Sequence, residues 1–288
     1  MGSINLAKKA SGKVVERFKL ASVTEGLFNA KYNWTGVATV QVYTVDVLPL
    51  QSYDRTKVSG SRFGTLTELG DTVQEMTVED DKSFNGVIDK ANNTSQMMIK
   101  SASSILRRQT DEVIIPYIDK YRLAKLADGA GSKSYSVSIT KSTALENILT
   151  AAAAMSNNLV PMDGRVLYIG QTEAIKIKLA DQIIGVDTLA ERSIVNGVVG
   201  TIDNMQVRIV PDSYMPEDVV YMIVRKGCAV APKKVETFRV ITEDKDMDGA
   251  IVQGRILHDC FVLDTLKNGI HVAYSTADPE DDEGGVGT

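Results

Sequence analysis

VATVQVYTVDV at residues 37–47 and EMTVEDDKSF at residues 75–84 are the two stretches of sequence that decide the fold. Both are rich in β-branched residues and alternate at strand spacing. Residues 48–74 between them are dominated by glycine, serine, threonine and charge. A compact domain seldom contains so long an irregular loop, and a two-stranded arm is barely stable alone in water. Because its strand edges need another surface to cover them, the pattern predicts a fold that neighbouring copies of the chain complete.

A single long helix is predicted directly after this arm, over about residues 93–127. Apolar residues keep near-helical spacing through the segment, which would reach ~50 Å at the usual rise of about 1.5 Å per residue. Pro116 should kink or divide the helix, because proline lacks the backbone N–H that a helix interior needs. Gly129 and Gly131 then end it.

Shorter elements are predicted for the rest of the chain. We expect one helix at residues 144–157, opened by a capping box at Thr143–Glu146, and another at 172–179. Residues 181–200 have the composition of a loop. The order of elements indicates the α+β class, without regular βαβ alternation. The predicted strands are 134–140, 165–170, 205–210, 219–224, 235–241, 251–263 and 269–274.

Composition and charge exclude several classes of protein. The 288 residues are 43% hydrophobic and 24% charged, which are ordinary values for a folded chain. No apolar run could cross a bilayer, and two cysteines cannot form a disulfide framework, which is typical of a reducing cytoplasm. The net charge of −5 comes from five acids in the tail, since without them the chain has 32 basic and 32 acidic residues. A nucleic-acid-binding protein usually has more basic than acidic residues, and this chain does not, so its charge does not indicate that class.

The first 35 residues are interpreted as an arm that lies over another surface. Val14, Val15, Phe18 and Leu20 would form a short helical face in it. Its basic residues favour a solvated face over contact with a polyanion. These residues are Lys8, Lys9, Lys13, Arg17 and Lys19.

Three patterns that could carry chemistry are better explained by structure. Asp244–Gly249 copies the first half of an EF-hand loop, but Arg255 stands where that loop needs a carboxylate, which favours a polar hairpin turn. Gly129–Ser134 has the composition of a phosphate loop without its Gly-Lys-Ser/Thr order, which favours a helix end. His258 and Cys260 would share one face of a strand, but too few other zinc ligands exist, so both are expected in the core.

An ordered set of short stretches carries a resemblance to a known family. The stretches are NWTGV (33–37), YDR (53–55), GSRFG (60–64), DKSF (81–84), DKY (119–121), VP (160–161), GRVLY (164–168), GTID (200–203), VPD (210–212) and AVAPK (229–233). Each is loose alone, so their order over nearly the whole chain supplies the specificity. In that order the chain resembles major capsid proteins of tailed bacteriophages, which share the HK97-type fold.

The resemblance implies a division of the chain into the parts of that fold. These parts are an N-arm, an extended β-hairpin called the E-loop, a long spine helix, and peripheral and axial domains. The implied assignments are N-arm 1–35, E-loop 36–88, peripheral domain 89–133 with the spine helix and 229–275, axial domain 134–228, and a flexible acidic tail 276–288.

The resemblance also implies a function. The chain would assemble as pentamers and hexamers into the icosahedral shell that encloses the double-stranded DNA of a tailed phage, built in the host cytoplasm and located in the virion. Contacts between copies are expected from apolar anchors and from cations that pair with carboxylates next door, with ordinary packing inside one subunit as the alternative. The candidates are the anchors Trp34, Tyr53, Phe63 and Phe84 and the cations Arg55, Arg62 and Lys82.

Further partners are expected on the same grounds. Because the arm begins almost at the first residue, we expect a separate scaffolding protein, or assembly without one, rather than a cleaved N-terminal scaffold. A portal is expected, and a decoration protein is left open. Packaged DNA would make only weak, non-specific contact with a neutral body. No covalent cross-link and no membrane contact are expected.

Two other classes of protein remain open. An encapsulin-type nanocompartment shares this fold but encloses cargo enzymes, so the DNA content of particles separates the two. A soluble α+β enzyme or binding module with a mobile flap would stay monomeric or form a small oligomer. Two histidines in all and no serine nucleophile elbow weigh against an enzyme, so the sequence predicts no catalysis, metal or cofactor.

Overall fold

The computed structural model of this protein describes residues 21–29, 32, 39–95, 101–179, 198–242 and 248–277. Helices pack there on mixed and antiparallel sheets without regular alternation along the chain, so the predicted α+β class is confirmed. None of the helices in these ranges is long and apolar enough to cross a bilayer. Several features singled out in the sequence lie outside the described residues: the N-terminal basic cluster, most of the calcium-loop mimic, residues 181–197 of the predicted loop and nearly all of the acidic tail.

The described chain contains the following regular elements. The helices are α1 (Lys90–Ser95), α2 (Ala102–Gln109), α3 (Ile115–Asp128), α4 (Ala144–Asn157) and α5 (Gln171–Lys178), with a π-helical turn at Thr110–Ile114 and 3₁₀ turns at Asp212–Tyr214 and Asp264–Gly269. The strands are β1 (Thr39–Val45), β2 (Asp71–Thr77), β3 (Asp80–Asp89), β4 (Ser132–Ser134), β5 (Arg165–Gly170), β6 (Val198–Ile202), β7 (Met205–Val210), β8 (Val219–Arg225), β9 (Ala229–Val230), β10 (Lys233–Ile241), β11 (Gly249–His258), β12 (Phe261–Val262) and β13 (Ile270–Tyr274).

A six-stranded sheet in the order β4-β13-β8-β5-β7-β6 holds the main core. Its strand β5 is buried along its whole length because both faces of the sheet are covered. Leu167 and Ile169 pack with side chains of α4 and α5 on one face. Val166 and Tyr168, which alternate with them, pack with side chains of α3 on the other. Strand β13 pairs with β8, so the last strand joins the sheet built from the segment that the sequence assigns to the axial domain.

A separate three-stranded antiparallel sheet, β10-β11-β3, packs against the π turn and the start of α3. Ile114 and Ile118 of the helix meet the middle strand there. In the register of the sheet, Gly254 lies between Phe238 and Phe84, and the two rings close over it with centroids 6.1 Å apart. The middle strand therefore has no room for a side chain at position 254.

Gly254→Ala is expected to lower the free energy of unfolding by about 1–3 kcal/mol, the usual cost of overpacking a filled core. A Cβ at this position would lie 2.7 Å from Cδ1 of Phe238 and would also press on the Phe84 ring. Urea denaturation measures the change. Gly86→Ala in the edge strand is the matched control, because the nearest atom to its Cβ would be 3.9 Å away. Equal losses in the two variants would contradict this account of Gly254.

The predicted single helix is interrupted, and its start differs from the prediction. Ser101 has extended backbone (φ −102°, ψ 131°), so the helix that contains Pro116 begins only at Ala102. Between α2 and α3 the chain widens into the π turn, whose last bond runs from the N–H of Ile115 to the carbonyl of Thr110. Because Pro116 cannot donate a helical hydrogen bond, the widened turn just before it accommodates the missing donor. We call residues 102–128 the spine helix.

Several predicted strand boundaries were wrong. The second stretch of the arm, 75–84, is two strands, because β2 and β3 belong to different sheets. The strand predicted at 134–140 ends at Ser134, since Ser136 has a positive φ of 55° that no strand adopts. The strand predicted over 251–263 divides into β11 and β12. Strand β6 covers residues 198–200, which were predicted as loop.

The helices and buried strands of the six-stranded sheet agree better with the prediction. The helix at 144–157 and the strands at 165–170 and 205–210 are confirmed. The capping box was wrong, because Thr143 makes no side-chain cap bond. Its hydroxyl instead donates to the carbonyl of Ser138 and contacts the hydroxyl of Thr140 at 2.8 Å.

His271 is a buried polar link inside the main sheet. Its Nδ1 lies 2.7 Å from Oγ of Ser132, its Nε2 lies 3.2 Å from Oγ of Ser134, and its ring stacks near Tyr221. A neutral imidazole satisfies both hydroxyls, because one nitrogen donates and the other accepts. Burial lowers the pKa of His271 to about 4.

Acidification from pH 6.5 to pH 4 is therefore expected to destabilise the protein by roughly 3 kcal/mol through His271 alone. Between these pH values the imidazole of His271 binds a proton in the unfolded chain but stays neutral in the folded chain. The free energy of unfolding therefore falls as the pH falls. Urea denaturation at pH 6.5 and at pH 4 measures the effect, and His271→Asn should flatten most of the pH dependence. Some slope should remain, because burial also lowers the pKa of His258. An unchanged slope in His271→Asn would refute the assignment.

Candidate assembly surface

The arm is a β-hairpin that stands apart from both larger sheets. Strands β1 and β2 pair only with each other in the described chain, in antiparallel register from Thr39 opposite Thr77 to Val45 opposite Asp71. The hydroxyls of Thr39 and Thr77 lie 2.8 Å apart, and Gln41 donates to Glu75 across the pair. Alternation of β-branched residues therefore builds the predicted hairpin, but an isolated two-stranded sheet needs support at its root.

The root of the arm is fixed to the body by apolar packing and by one glutamine. Met76 is fully buried in a cluster with Val230 and Leu263. The amide of Gln74 donates to the carbonyl of Val262 at 2.8 Å, and its carbonyl oxygen accepts from the backbone N–H of Asp264 at 3.1 Å. The arm therefore leaves the body in a defined direction.

The tip of the arm, residues 46–70, is folded although it contains no helix or strand. The N–H of Asp46 donates to the carbonyl of Gly70 at 2.9 Å and closes its neck. Further along, the side-chain oxygen of Gln51 accepts from the N–H of Thr65 at 2.8 Å. Gly64 has a φ of +86°, and Gln51 fills the space where a Cβ would stand. This loop requires glycine at position 64 and presents its side chains in a fixed arrangement.

The tip exposes an unusual number of large apolar side chains to solvent. Phe63 is 80% exposed and Leu66 is 95% exposed. The ring of Phe63 rests edge-on against Tyr53, with centroids 5.0 Å apart, so the two form one aromatic knob. Large apolar side chains that are exposed on one loop are typical of a surface that binds another molecule. The exposed members are Val47, Leu48, Leu50, Tyr53, Val58, Phe63, Leu66 and Leu69.

Four of the predicted contact residues lie together on this tip. Tyr53 and Phe63 form the aromatic knob. Arg62 donates from Nε to the carbonyl of Lys57 at 3.0 Å, and its own carbonyl accepts from the N–H of Asp54. Arg55 is exposed beside them. Their role between subunits stays a prediction, because a single chain contains no partner surface.

The other three predicted contact residues lie elsewhere. Lys82 of β3 pairs with Asp80 at 3.3 Å and lies above the ring of Tyr117. Phe84 packs on Phe238 inside its own subunit, as the ordinary-packing alternative supposed. Trp34 lies outside the described residues. The structure therefore brings together the tip residues and separates them from those of β3.

A polar junction at the arm root was missed by sequence reasoning. The carboxylate of Asp259 accepts from the N–H of Glu79 at 3.1 Å and from the hydroxyl of Tyr121 at 2.8 Å. Beside it, the ring nitrogen Nε2 of His258 lies 3.0 Å from the carboxylate of Asp80. Burial lowers the pKa of His258, which outweighs the attraction of Asp80 for its charged form. His258 is buried as predicted, and the junction ties the arm root to the spine helix.

A second buried carboxylate fixes the N-terminal segment to the spine helix. Asp119 accepts hydrogen bonds from the hydroxyl of Ser22 at 2.8 Å, the N–H of Val23 at 2.9 Å and the hydroxyl of Thr24 at 2.6 Å. Phe28 lies under the guanidinium of Arg122 at 4.9 Å. No spacing in the sequence indicates this contact, because the partners are nearly 100 positions apart.

The described residues offer no arrangement suited to metal chemistry. Among them, no group of three or more histidine, cysteine or acidic side chains is placed to hold a metal ion. Cys228 and Cys260 are both buried, and burial raises the pKa of the Cys260 thiol to about 12. Neither thiol is therefore a ready nucleophile.

Comparison with known proteins identifies the class of fold. The α+β body with its outstretched arm has the fold of bacteriophage capsid structures. A solved structure from Mycobacterium phage Che8 matches with a TM-score of 0.75 at 16% identity, over 95% of this chain and 98% of the other. The capsid of cyanophage P-SCSP1u matches with a TM-score of 0.75 at 15% identity, over 94% of this chain and 93% of the other.

A further match shows how far sequence and fold have separated. The mature capsid of bacteriophage PhiM1 has a TM-score of 0.70 at only 8% identity, over 93% of this chain and 91% of the other. No family model matches the sequence, and no curated protein matches it. The likeness is thus one of fold, and it extends over nearly the whole chain.

Proposed function

We propose that this chain is the major capsid protein of a tailed bacteriophage, which self-assembles as pentamers and hexamers into an icosahedral shell around double-stranded DNA. The arm carries the proposal. Its tip is a folded loop with apolar side chains that its own body leaves in water, and its root is firmly fixed. In a monomer the apolar side chains of the tip stay exposed to water, whereas a neighbouring copy can bury them. The likeness to capsid folds supports this reading of the arm.

Shell closure follows from the physics of a head-to-tail contact. The arm tip of one copy and the surface that receives it are different patches, so the interface is heterologous and closes into rings when the rotation allows. Each contact can be modest, because closure multiplies it over many copies. The body is electrically neutral without its acidic tail, which suits a wall that should not hold packaged DNA tightly.

The remaining parts of the proposal concern partners. We place the protein in the virion capsid, assembled in the host cytoplasm with a portal and, where needed, a separate scaffolding protein. We propose no catalytic activity, because its buried histidines and thiols have structural partners or apolar surroundings.

Negative-stain microscopy of the expressed protein tests the proposal. Closed particles of uniform diameter, or rings of five and six subunits, are expected. A monodisperse monomer by light scattering, unchanged by concentration or by added co-assembly factors, would refute it. Virions or particles from the natural source should contain DNA, whereas particles that enclose a protein cargo would favour a nanocompartment instead.

A further inference from the structure

The polar junction at the arm root contains a buried imidazole whose hydrogen bonding is incomplete. His258 is 1% exposed, and the rings of Tyr117 and Tyr121 from the spine helix contact it edge-on, with centroids 5.9 and 5.2 Å away. Its Nε2 lies 3.0 Å from the carboxylate of Asp80, but neither ring nitrogen makes an aligned hydrogen bond to any described residue. Buried polar atoms without hydrogen bonds are rare in folded proteins, so this ring is poorly accommodated where it lies.

The junction holds the arm root at two successive positions of the chain. The N–H of Glu79 donates to the carboxylate of Asp259 at 3.1 Å. Asp80, the first residue of β3, accepts from the hydroxyl of Tyr117 at 3.0 Å. In the register of the sheet Asp80 also lies opposite His258. These contacts hold the start of β3 against the spine helix, at the point where the arm joins the body.

A cleft of about 210 Å³ lies beside the junction, between the spine helix and β3. His258, Tyr117 and Lys82 are among the residues that line it. The side chain of Lys82 is 58% exposed, so the cleft is in contact with solvent. At about 30 Å³ per molecule it has room for several waters. A small outward displacement of the junction would therefore bring the imidazole of His258 into contact with water.

The groups that surround His258 determine how a proton on its ring would act. The carboxylates of Asp80 and Asp259 attract a positive charge there, whereas the cations Arg122 and Lys233 repel it. Burial has the largest effect and lowers the pKa of His258, so the ring stays neutral in the closed junction at a pH where a hydrated histidine is charged. The titratable groups around the ring are Asp80 and Lys82 of β3, Tyr117, Tyr121 and Arg122 of the spine helix, Lys233 of β10, and Asp259 after β11.

We propose that His258 is an acid-sensitive switch, whose protonation opens the polar junction and releases the start of β3 from the spine helix while the main sheet stays folded. The imidazole binds a proton more readily in the open junction, where it is hydrated, than in the closed one. Each pH unit below about 6.5 therefore raises the equilibrium constant for opening by up to about tenfold, until the pH reaches the pKa of His258 in the closed junction. The switch acts within one chain, so the proposal does not depend on self-assembly.

Amide hydrogen exchange of the full chain at pH 7.5 and at pH 5 tests the proposal. Ordinary carboxylates stay ionised over this range, whereas a hydrated histidine gains a proton. The protection factor of the Glu79 amide measures opening of the junction, because it corrects for the intrinsic pH dependence of exchange. The opening constant at Glu79 should rise at least about threefold and up to about 30-fold on acidification. The slowest amides of β5 report global unfolding and should stay better protected than Glu79 at both pH values.

Two variants assign the effect to one histidine. His258→Gln should abolish the rise at Glu79. His271→Asn is the matched control and should keep the rise, because it leaves His258 as the only histidine of the chain. If His258→Gln does not fold, the unmodified chain and His271→Asn still decide the question. A smaller rise in either of these two chains overturns the proposal, as does a rise that persists in folded His258→Gln or equal protection of Glu79 and β5.

Discussion

Replacement of residues 47–69 by the two-residue turn Asn-Gly is expected to give a folded chain that no longer assembles. The hairpin should survive, because Asp46 and Gly70 already approach across its neck and the root is held by Gln74 and Met76. The change removes the whole exposed apolar tip, and burial of each such side chain contributes about 1.5–3 kcal/mol to a contact. Light scattering and microscopy should show monomers or small oligomers, with an unchanged circular dichroism spectrum.

A pair of point substitutions separates the apolar contact from the length of the arm. Phe63→Ser with Leu66→Ser keeps the hydrogen bonds of the tip and removes two anchors, which should weaken each intersubunit contact by about 3–6 kcal/mol. The protein concentration needed for assembly should then rise at least about 100-fold. Leu266→Ser, an exposed leucine of the body, is the matched control and should assemble normally. Particles formed at the usual concentration by the double variant would refute the role of the tip.

The elements that the sequence predicts well are those with strong local patterns. Strand β5 follows from a short apolar run, because a strand covered on both faces carries no competing polar signal. The arm was predicted from a different pattern. Two stretches rich in β-branched residues lie on either side of a long loop that is too polar to belong to a core. Its outline could be predicted because both signals lie within one continuous stretch.

The boundaries that failed depend on residues far away in the sequence. The stretch 75–84 is continuous in composition, but it divides where the N–H of Glu79 meets the carboxylate of Asp259, 180 positions later. The partial burial of Phe84 depends in the same way on Phe238, which pairing with the middle strand β11 brings next to it. A single sequence contains neither contact. The exposure of the tip residues could therefore be predicted from local sequence, whereas the contact of Phe84 with Phe238 could not; the role of the candidate residues between subunits stays a prediction.

The same limit explains why one buried cation escaped notice. Arg165 begins strand β5 and is 2% exposed. Its guanidinium donates to the carbonyls of Ala152 at 2.9 Å and Val160 at 2.6 Å, and also to Pro161 and Ser156. These oxygens surround the carboxyl end of α4, where the helix dipole favours a positive charge. The side chain of Arg165 thus holds the end of α4 and the loop that follows it against the main sheet.

Arg165→Met is expected to lower the free energy of unfolding by about 3–5 kcal/mol, because it removes four hydrogen bonds that the buried guanidinium donates. Arg165→Lys should recover part of the loss, since an ammonium can reach some of these oxygens but cannot span them all. Urea denaturation measures both. Arg255→Met is the matched control, because its ion pair with Asp81 is exposed to solvent and should contribute little to stability. If Arg165→Met lowered the free energy of unfolding no more than this control does, the hydrogen bonds of the guanidinium would contribute little. Apolar packing alone would then hold α4 on the sheet.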